Sequence, residues 1–275
     1  DLVRSRGLGD VYKRQIPAYN AECTLVHGNV PIVNEEKMVT EKDILRVQNS
    51  VVNDILPNME LVSVTPIDFT IYENGSEIET LKDPKNKICD RLGIRAMMVC
   101  VPKTSVVSFA KVVEKSGVEV VDLVLSPIAD FEEVKTEELE SGMTAVINIG
   151  KTITTVSMFN KGIITNTSVL KIGSKIIDDD ISYIYYTTKK AARKAKENFG
   201  IAHPRYANKN ETYEVRDVNG KLVRINQYEL SKVINKRLVE ILNVAKNELK
   251  VLTNKQIRYI MAVSYTHLRA HETVL

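Results

Sequence analysis

Gly150-Lys151-Thr152 interrupts two runs rich in β-branched residues, Thr144–Ile149 and Thr154–Phe159. A glycine-containing loop between strands can turn backbone N–H groups toward a phosphate. The same composition also makes an ordinary hairpin turn. Asp178-Asp179-Asp180 places three carboxylates in a row, suited to the positive end of a helix dipole or, alternatively, to a metal ion. Lys189 to Lys196, KKAARKAK, makes a basic helix face, either solvated or turned to an acidic partner. His267 and His271, with Glu272 beside them, would bring two imidazoles onto one helix face. No second ligand cluster supports them, so no metal site is expected. His27 stands alone beside a glycine. Glu132-Glu133 and Glu137-Glu138 are adjacent pairs on a charged stretch, which is surface patterning rather than acid–base chemistry. No catalytic residue is assigned.

The chain that must position these residues has 275 of them, enough for more than one domain and a sizeable core. Its hydrophobic content of 44% and charged content of 27% are those of a soluble globular protein. A net charge of +3 is too small to argue for nucleic acid. Cys23, Cys89 and Cys100 are odd in number and form no CxxC pair, as in a protein with reduced thiols. No apolar run approaches the roughly 18 residues of a membrane span. Residues 1–15 and 264–275 differ in pattern from the interior and resemble the translated sequencing-adapter tails found on gene fragments from environmental DNA. They are set aside, with Gly7-Leu8-Gly9 and the His267/His271 pair inside them. About Ile16 to Val263 is then expected to be an internal piece of a longer protein.

Within it, Cys23–His27 reads as a short strand. Thr40 caps a helix with Asp43 as its capping-box partner, and Ile44, Val47, Val51 and Ile55 form the helix's apolar face up to Pro57. Leu61–Thr65 and Phe69–Tyr72 are strand-like, Asn74-Gly75 is a turn, and Ile94–Val101 is a buried strand. Met97 and Met98 belong to packing. Thr104 or Ser105 caps a helix carrying Val106, Phe109, Ala110 and Val113 and closed by Gly117. Val118–Leu125 follows as a strand, then a short helix from Ser126-Pro127. Strands at Thr144–Ile149, Thr154–Phe159 and Ile163–Leu170 form a meander turning at Asn160-Lys161-Gly162. A helix begins at Asp178. Asn219-Gly220 joins a hairpin, a long amphipathic helix carries Leu230, Val233, Ile234, Arg237, Ile241, Leu242, Ala245 and Leu249, and Ile257–Val263 starts a last strand.

This order of elements, with several local patterns, resembles the FtsA family of bacterial actin-like cell-division proteins over nearly all of 16–263. VPIVNEEKMVTEKDI (30–44), LVSVTPIDFTI (61–71) and LGIRAMMVCVP (92–102) resemble the family's inserted subdomain. KTSVVSFAKVVEKSGVEVVDLVLSPIA (103–129) looks like the return to the first actin-like subdomain. INIGKTITTVSMFNKG (147–162) falls on the second phosphate loop, KIGSKIIDDDIS (171–182) on the glycine-containing entry to the next subdomain, and YELSKVINKRLVEILN (228–243) on its nucleotide-side helix. The fold implied is α/β, actin-like (ribonuclease H-like), with an inserted small α+β subdomain and incomplete at both ends. Its divisions would be a tail at 1–17, the insert at 18–102, the first core subdomain returning at 103–142, the second at 143–173 and 228–263, a small subdomain at 174–227, and a tail at 264–275.

By the same resemblance, Asn148, Gly150, Lys151, Thr152 and Gly173 would line a nucleotide phosphate site, with Asn235 and Arg237 near the base or ribose. ATP and Mg2+ would be the cofactors. Partners would be FtsZ, through the 174–227 region, further copies of the chain in actin-like filaments, and the cytoplasmic face of the inner membrane through a C-terminal helix not included here. The departures fall on the chemistry. Asn148 stands where the family has an aspartate and so lacks the charge that attracts Mg2+. Lys151 and Thr152 replace glycines that let backbone approach phosphate, although Lys151 could supply a positive charge instead. Ser174 replaces a second glycine and Asn235 an acid. At most a weak ATPase is expected. A pilus-assembly relative of the same architecture is the nearest alternative. A sugar kinase on the fold would need a catalytic aspartate that no suitable loop supplies.

Overall fold

The structure, a computed structural model, describes residues 11–52, 55, 57–115, 117 and 119–264. The chain divides into two compact units, Asp1–Gly142 with Phe159–Ser168, and Met143–Met158 with Val169–Leu275.

In the first unit, β1 (Val11–Ile16) is followed by β2 (Glu22–Pro31), α1 (Glu41–Ser50), β3 (Met59–Glu73), β4 (Ser76–Leu81), β5 (Arg91–Pro102), α2 (Lys103–Glu114), β6 (Glu119–Leu125), α3 (Ser126–Val134) and the single-turn α4 (Glu137–Glu140). A four-stranded antiparallel sheet runs β2-β5-β3-β4. Its central strand β5 is buried from Leu92 to Val101 except at Arg95, because neighbours flank it on both sides. Val47 and Val51 pack with Leu92, Ile94, Ala96, Phe69 and Ile71 to form this unit's core. Each such fully buried aliphatic side chain contributes roughly 1.5–3 kcal/mol relative to exposure.

The capping box of α1 is formed as expected: the Asp43 amide donates to Thr40 Oγ1 (3.4 Å) and the Thr40 amide to Asp43 Oδ2 (3.1 Å). The helix nevertheless stops at Ser50, short of Ile55. Ser50 Oγ donates to the Val47 carbonyl at 2.7 Å, a local bond that competes with helix propagation. The two strands expected at 61–72 are one strand, β3. Pro66 survives inside it because the pairing with β5 shifts register at Leu61/Ser63 and at Pro66/Asp68, where a missing N–H costs no ladder bond. α2 begins at Lys103 with Pro102 at the cap position and no side-chain cap, so Thr104 and Ser105, the expected caps, lie inside its first turn. Residues 11–15, set aside on sequence, lie in β1, which pairs in parallel with β6 from Val11↔Glu119 to Ile16↔Leu125. Ser126 Oγ, donating to the Ile16 carbonyl at 3.0 Å, fixes its end.

β7 (Met143–Ile149) and β8 (Thr154–Asn160) lead to β9 (Ile163–Leu170), of which residues 163–168 fall in the first unit, and the second unit goes on through α5 (Lys175–Ile184), α6 (Lys189–Phe199), a 3-10 turn at Pro204–Tyr206, the hairpin β10 (Thr212–Arg216) and β11 (Leu222–Asn226), α7 (Gln227–Leu252) and β12 (Tyr259–Val263). The sheet order is β12-β7-β8-β9, with β12 parallel to β7. The β8–β9 turn puts Lys161 and Gly162 at φ 51° and 77°, the left-handed pair that a two-residue hairpin requires. Leu230, Ile234, Leu238, Ile241, Ala245 and Leu249 recur at helical spacing along α7 and are buried, in one core with Ala145, Ile147, Val156, Met158, Ile177 and Ile181. α5 starts at Lys175, three residues before the expected Asp178, so the aspartates sit one turn inside the helix.

Candidate functional site

β7 delivers the chain to a tight loop at its C-terminal end. The Gly150 amide donates to the Ile153 carbonyl at 2.9 Å and closes the loop over Lys151 and Thr152, both exposed. The chain returns to this place after β9. Thr154 Oγ1, fully buried, donates to the Ile172 carbonyl at 2.8 Å and holds the following residue against the loop. That residue is Gly173. A Cβ on it would lie 2.7 Å from Gly150 O, Lys151 C and Lys151 O, so only glycine allows the two segments to close. The next two amides complete the joint: Ser174 N–H donates to Gly150 O at 2.9 Å and Lys175 N–H to Lys151 O at 2.8 Å.

Gly150, Lys151 and Gly173 are therefore brought into contact, Thr152 caps the loop, and Asn148 sits near the end of β7 opposite Val263. The joint also explains which donors remain. The first amides of α5, an anion-binding group in many loops, are spent on loop carbonyls and on the helix's own first turn. The amides of Lys151 and Thr152 make no hydrogen bond to the described residues and lie at the exposed tip. The exposed residues Lys171 and Lys175 flank the joint and add positive charge to that of Lys151. The sequence reading missed both; their signal was a lysine on each side of Ile172-Gly173-Ser174. The donor set fits an anion such as a phosphate.

A divalent cation is not matched in the same way. Among the described residues no group of three or more His, Cys, Asp or Glu side chains could hold one. Each aspartate of the row is paired with a different base instead: Asp178 with Lys196 (2.6 Å), Asp179 with Lys189 (2.7 Å), and Asp180 with Arg237 through two hydrogen bonds (2.7 and 3.0 Å). The basic face of α6 is thus partly internal. His267, His271 and Gly7-Leu8-Gly9 lie outside the described residues.

Asn235 and Arg237 are engaged with protein groups. Asn235 Nδ2 donates to the Ala202 carbonyl at 3.0 Å. Arg237 is held by Asp180 and by Glu240 (2.6 Å), and its hydrogen bonds to Asp180 raise the guanidinium's pKa. Neither side chain joins the loop. A separate, mostly apolar cavity of about 450 Å3 in the first unit is lined by Leu25, Val26, Met59, Met98 and Cys100, together with Glu22, Thr24 and His27 of β2.

A model of the FtsA cell-division protein family matches residues 145–263, the stretch that contains the loop, the joint and α7. The chain is 31% identical over 237 residues to the cell division protein FtsA of Enterococcus hirae, covering 85% of this chain and 52% of that protein. It is 29% identical over 226 residues to FtsA of Bacillus subtilis, covering 82% and 50%. The chain thus spans about half the length of the curated relatives it matches. Among solved structures, MreB5 of Spiroplasma citri bound to AMPPNP aligns with a TM-score of 0.49 at 19% identity, over 60% of this chain and 54% of that one.

Proposed function

We propose that this chain, an FtsA-like member of the actin family, is part of a cell-division protein that binds ATP through the Gly150–Ile153 loop, assembles into filaments with its own kind, and links FtsZ filaments to the cytoplasmic face of the membrane. One observation carries the nucleotide step. The amides of the exposed residues Lys151 and Thr152, which make no hydrogen bond to the described residues, stand at a loop locked by Gly173 and flanked by lysines, in the stretch that matches the FtsA family. Lys151 and Thr152 would present their N–H groups to phosphate oxygens, with the Lys151 ammonium adding charge. Asn148 would offer a neutral hydrogen-bonding group where a carboxylate would hold metal-bound water. With Asn148 where the family has an aspartate, at most weak hydrolysis is the expected state. Filament formation and FtsZ linkage rest on the likeness to FtsA proteins and apply to the longer protein.

The test is calorimetry of ATP with Mg2+ on the product of the full-length gene. Micromolar binding that weakens at least tenfold in Lys151→Ala supports the reading. Absence of heat with FtsZ binding retained would replace it with a nucleotide-free scaffold.

A further inference from the structure

Lys196 is the most deeply buried charge in the second unit that the loop chemistry does not use. It is 3% exposed, and its Nζ lies 2.6 Å from Asp178 Oδ1, itself in a residue 5% exposed. Removing two charges from water is costly, so such a pair is weak evidence for added stability; its best-attested use is to specify one arrangement. The arrangement it specifies here is visible in its second contact. Lys196 Nζ donates to the Ser174 carbonyl at 3.3 Å. Ser174 is the residue whose amide holds Gly150 O, and its successor's amide holds Lys151 O. From α6, one lysine therefore grips both the N-cap residue of α5 and an aspartate one turn on. The loop hangs from Ser174 and from Lys175 next to it. One turn further on, at its last residue, α6 is tied to the hairpin by Phe199 stacked on Tyr213, with ring centroids 5.6 Å apart.

We propose that Lys196, with Asp178, is the positioning residue of the Gly150–Ile153 loop, and that through it α6 and the β10–β11 hairpin respond to whether the loop holds an anion. The second half rests on the phosphate reading given above; the first does not. Neutralised by Asp178, Lys196 is not a ligand. It fixes where the loop carbonyls sit, and hence where the amides of Lys151 and Thr152 point. An anion that draws those amides toward itself pulls on Gly150 O and Lys151 O, and the pull passes through Ser174 to Lys196.

The test is amide hydrogen exchange on the full-length protein, comparing the parent with Lys196→Met and with Asp178→Leu/Lys196→Met, with and without ATP. The double variant removes both charges, leaves no unpaired ion and keeps the volume filled, so it guards against simple unfolding. Without nucleotide, the amides of Ser174 and Lys175 are expected to exchange at least tenfold faster in the double variant, while those of Ala145, Val146 and Ile147 in β7 are unchanged. A purely structural pair would speed all of them together, and that result overturns the proposal, as does unchanged exchange at Ser174 and Lys175. With ATP, the parent should gain protection in α6 and the hairpin, and the double variant should lose that gain. If the parent shows no heat with ATP, the nucleotide reading and the proposed response fail, while the exchange without ligand still decides the positioning role.

Discussion

Replacing Gly173 by alanine puts the joint between loop and helix to a quantitative test. The backbone φ of Gly173 is outside the left-handed region, so alanine suffers no intrinsic conformational penalty there and the effect is steric. The added Cβ would sit 2.7 Å from three backbone atoms of Gly150 and Lys151, which cannot swing aside as the end of a side chain could. Overpacking of this kind costs about 1–3 kcal/mol. Relief requires the segments to part, which stretches the two amide bonds from Ser174 and Lys175, each worth roughly 0.5–1.5 kcal/mol. A loss of about 3 kcal/mol follows, or a fall in Tm of roughly 6–12 °C for a chain of this size. The control is Gly220→Ala at the β10–β11 turn, where φ is +83° and nothing lies within 4 Å, so that only the left-handed strain of about 1–2 kcal/mol applies. Thermal melting followed by circular dichroism gives the comparison, and ATP calorimetry should show affinity lost in Gly173→Ala and kept in Gly220→Ala. A Gly173→Ala protein no less stable than the control would refute the claim that the two segments close on a glycine.

Three further outcomes can be checked. Arg237→Lys keeps the charge but loses the paired hydrogen bonds to Asp180; because both side chains are about a quarter exposed, the cost should stay below about 1 kcal/mol, with ATP affinity unchanged, whereas a tenfold fall in affinity would move Arg237 to the nucleotide. Burial pushes the Asp43 carboxyl up, but the hydrogen bonds from Thr40 and the charge of Arg46 outweigh it and hold the pKa below its ordinary value. That stability is present above the unfolded pKa and lost as pH falls through the folded one, so Thr40→Ala should lower stability by about 1 kcal/mol at neutral pH and flatten the acid limb of a stability–pH curve. Burial, with the nearby Cys100, raises the Cys23 thiol to about 11. Its alkylation at pH 8 should run roughly a hundredfold slower than that of an unperturbed thiol, and the stability it contributes should decline between about pH 9 and 11; fast labelling of Cys23, which is half-buried, would contradict the raised pKa.

What could be read from the sequence was what one segment encodes by itself. The Thr40/Asp43 box, the left-handed turns at Asn74-Gly75 and Lys161-Gly162, the buried run in β5 and the apolar stripe of α7 each need only a few consecutive side chains and a backbone preference, and all are present. It was the resemblance to the FtsA family that set Gly150 beside Gly173, and the two segments do meet. The misreadings share a different cause. α1 ended early through a Ser50 contact, β3 ran on through Pro66 because its partner strand shifts register there, and the fates of Asp178, Asp180, Lys196 and Arg237 depend on which helices cross. A row of aspartates and a run of lysines look alike whether solvated or paired, since their charges say nothing about distance. The crossing of α5, α6 and α7 turns one lysine of KKAARKAK inward against the one aspartate of the row that faces it, leaving other lysines of the run in water. That selection makes Lys196 a better object for mutation than its more exposed neighbours, because a charge retained inside a packed unit has to hold something in place.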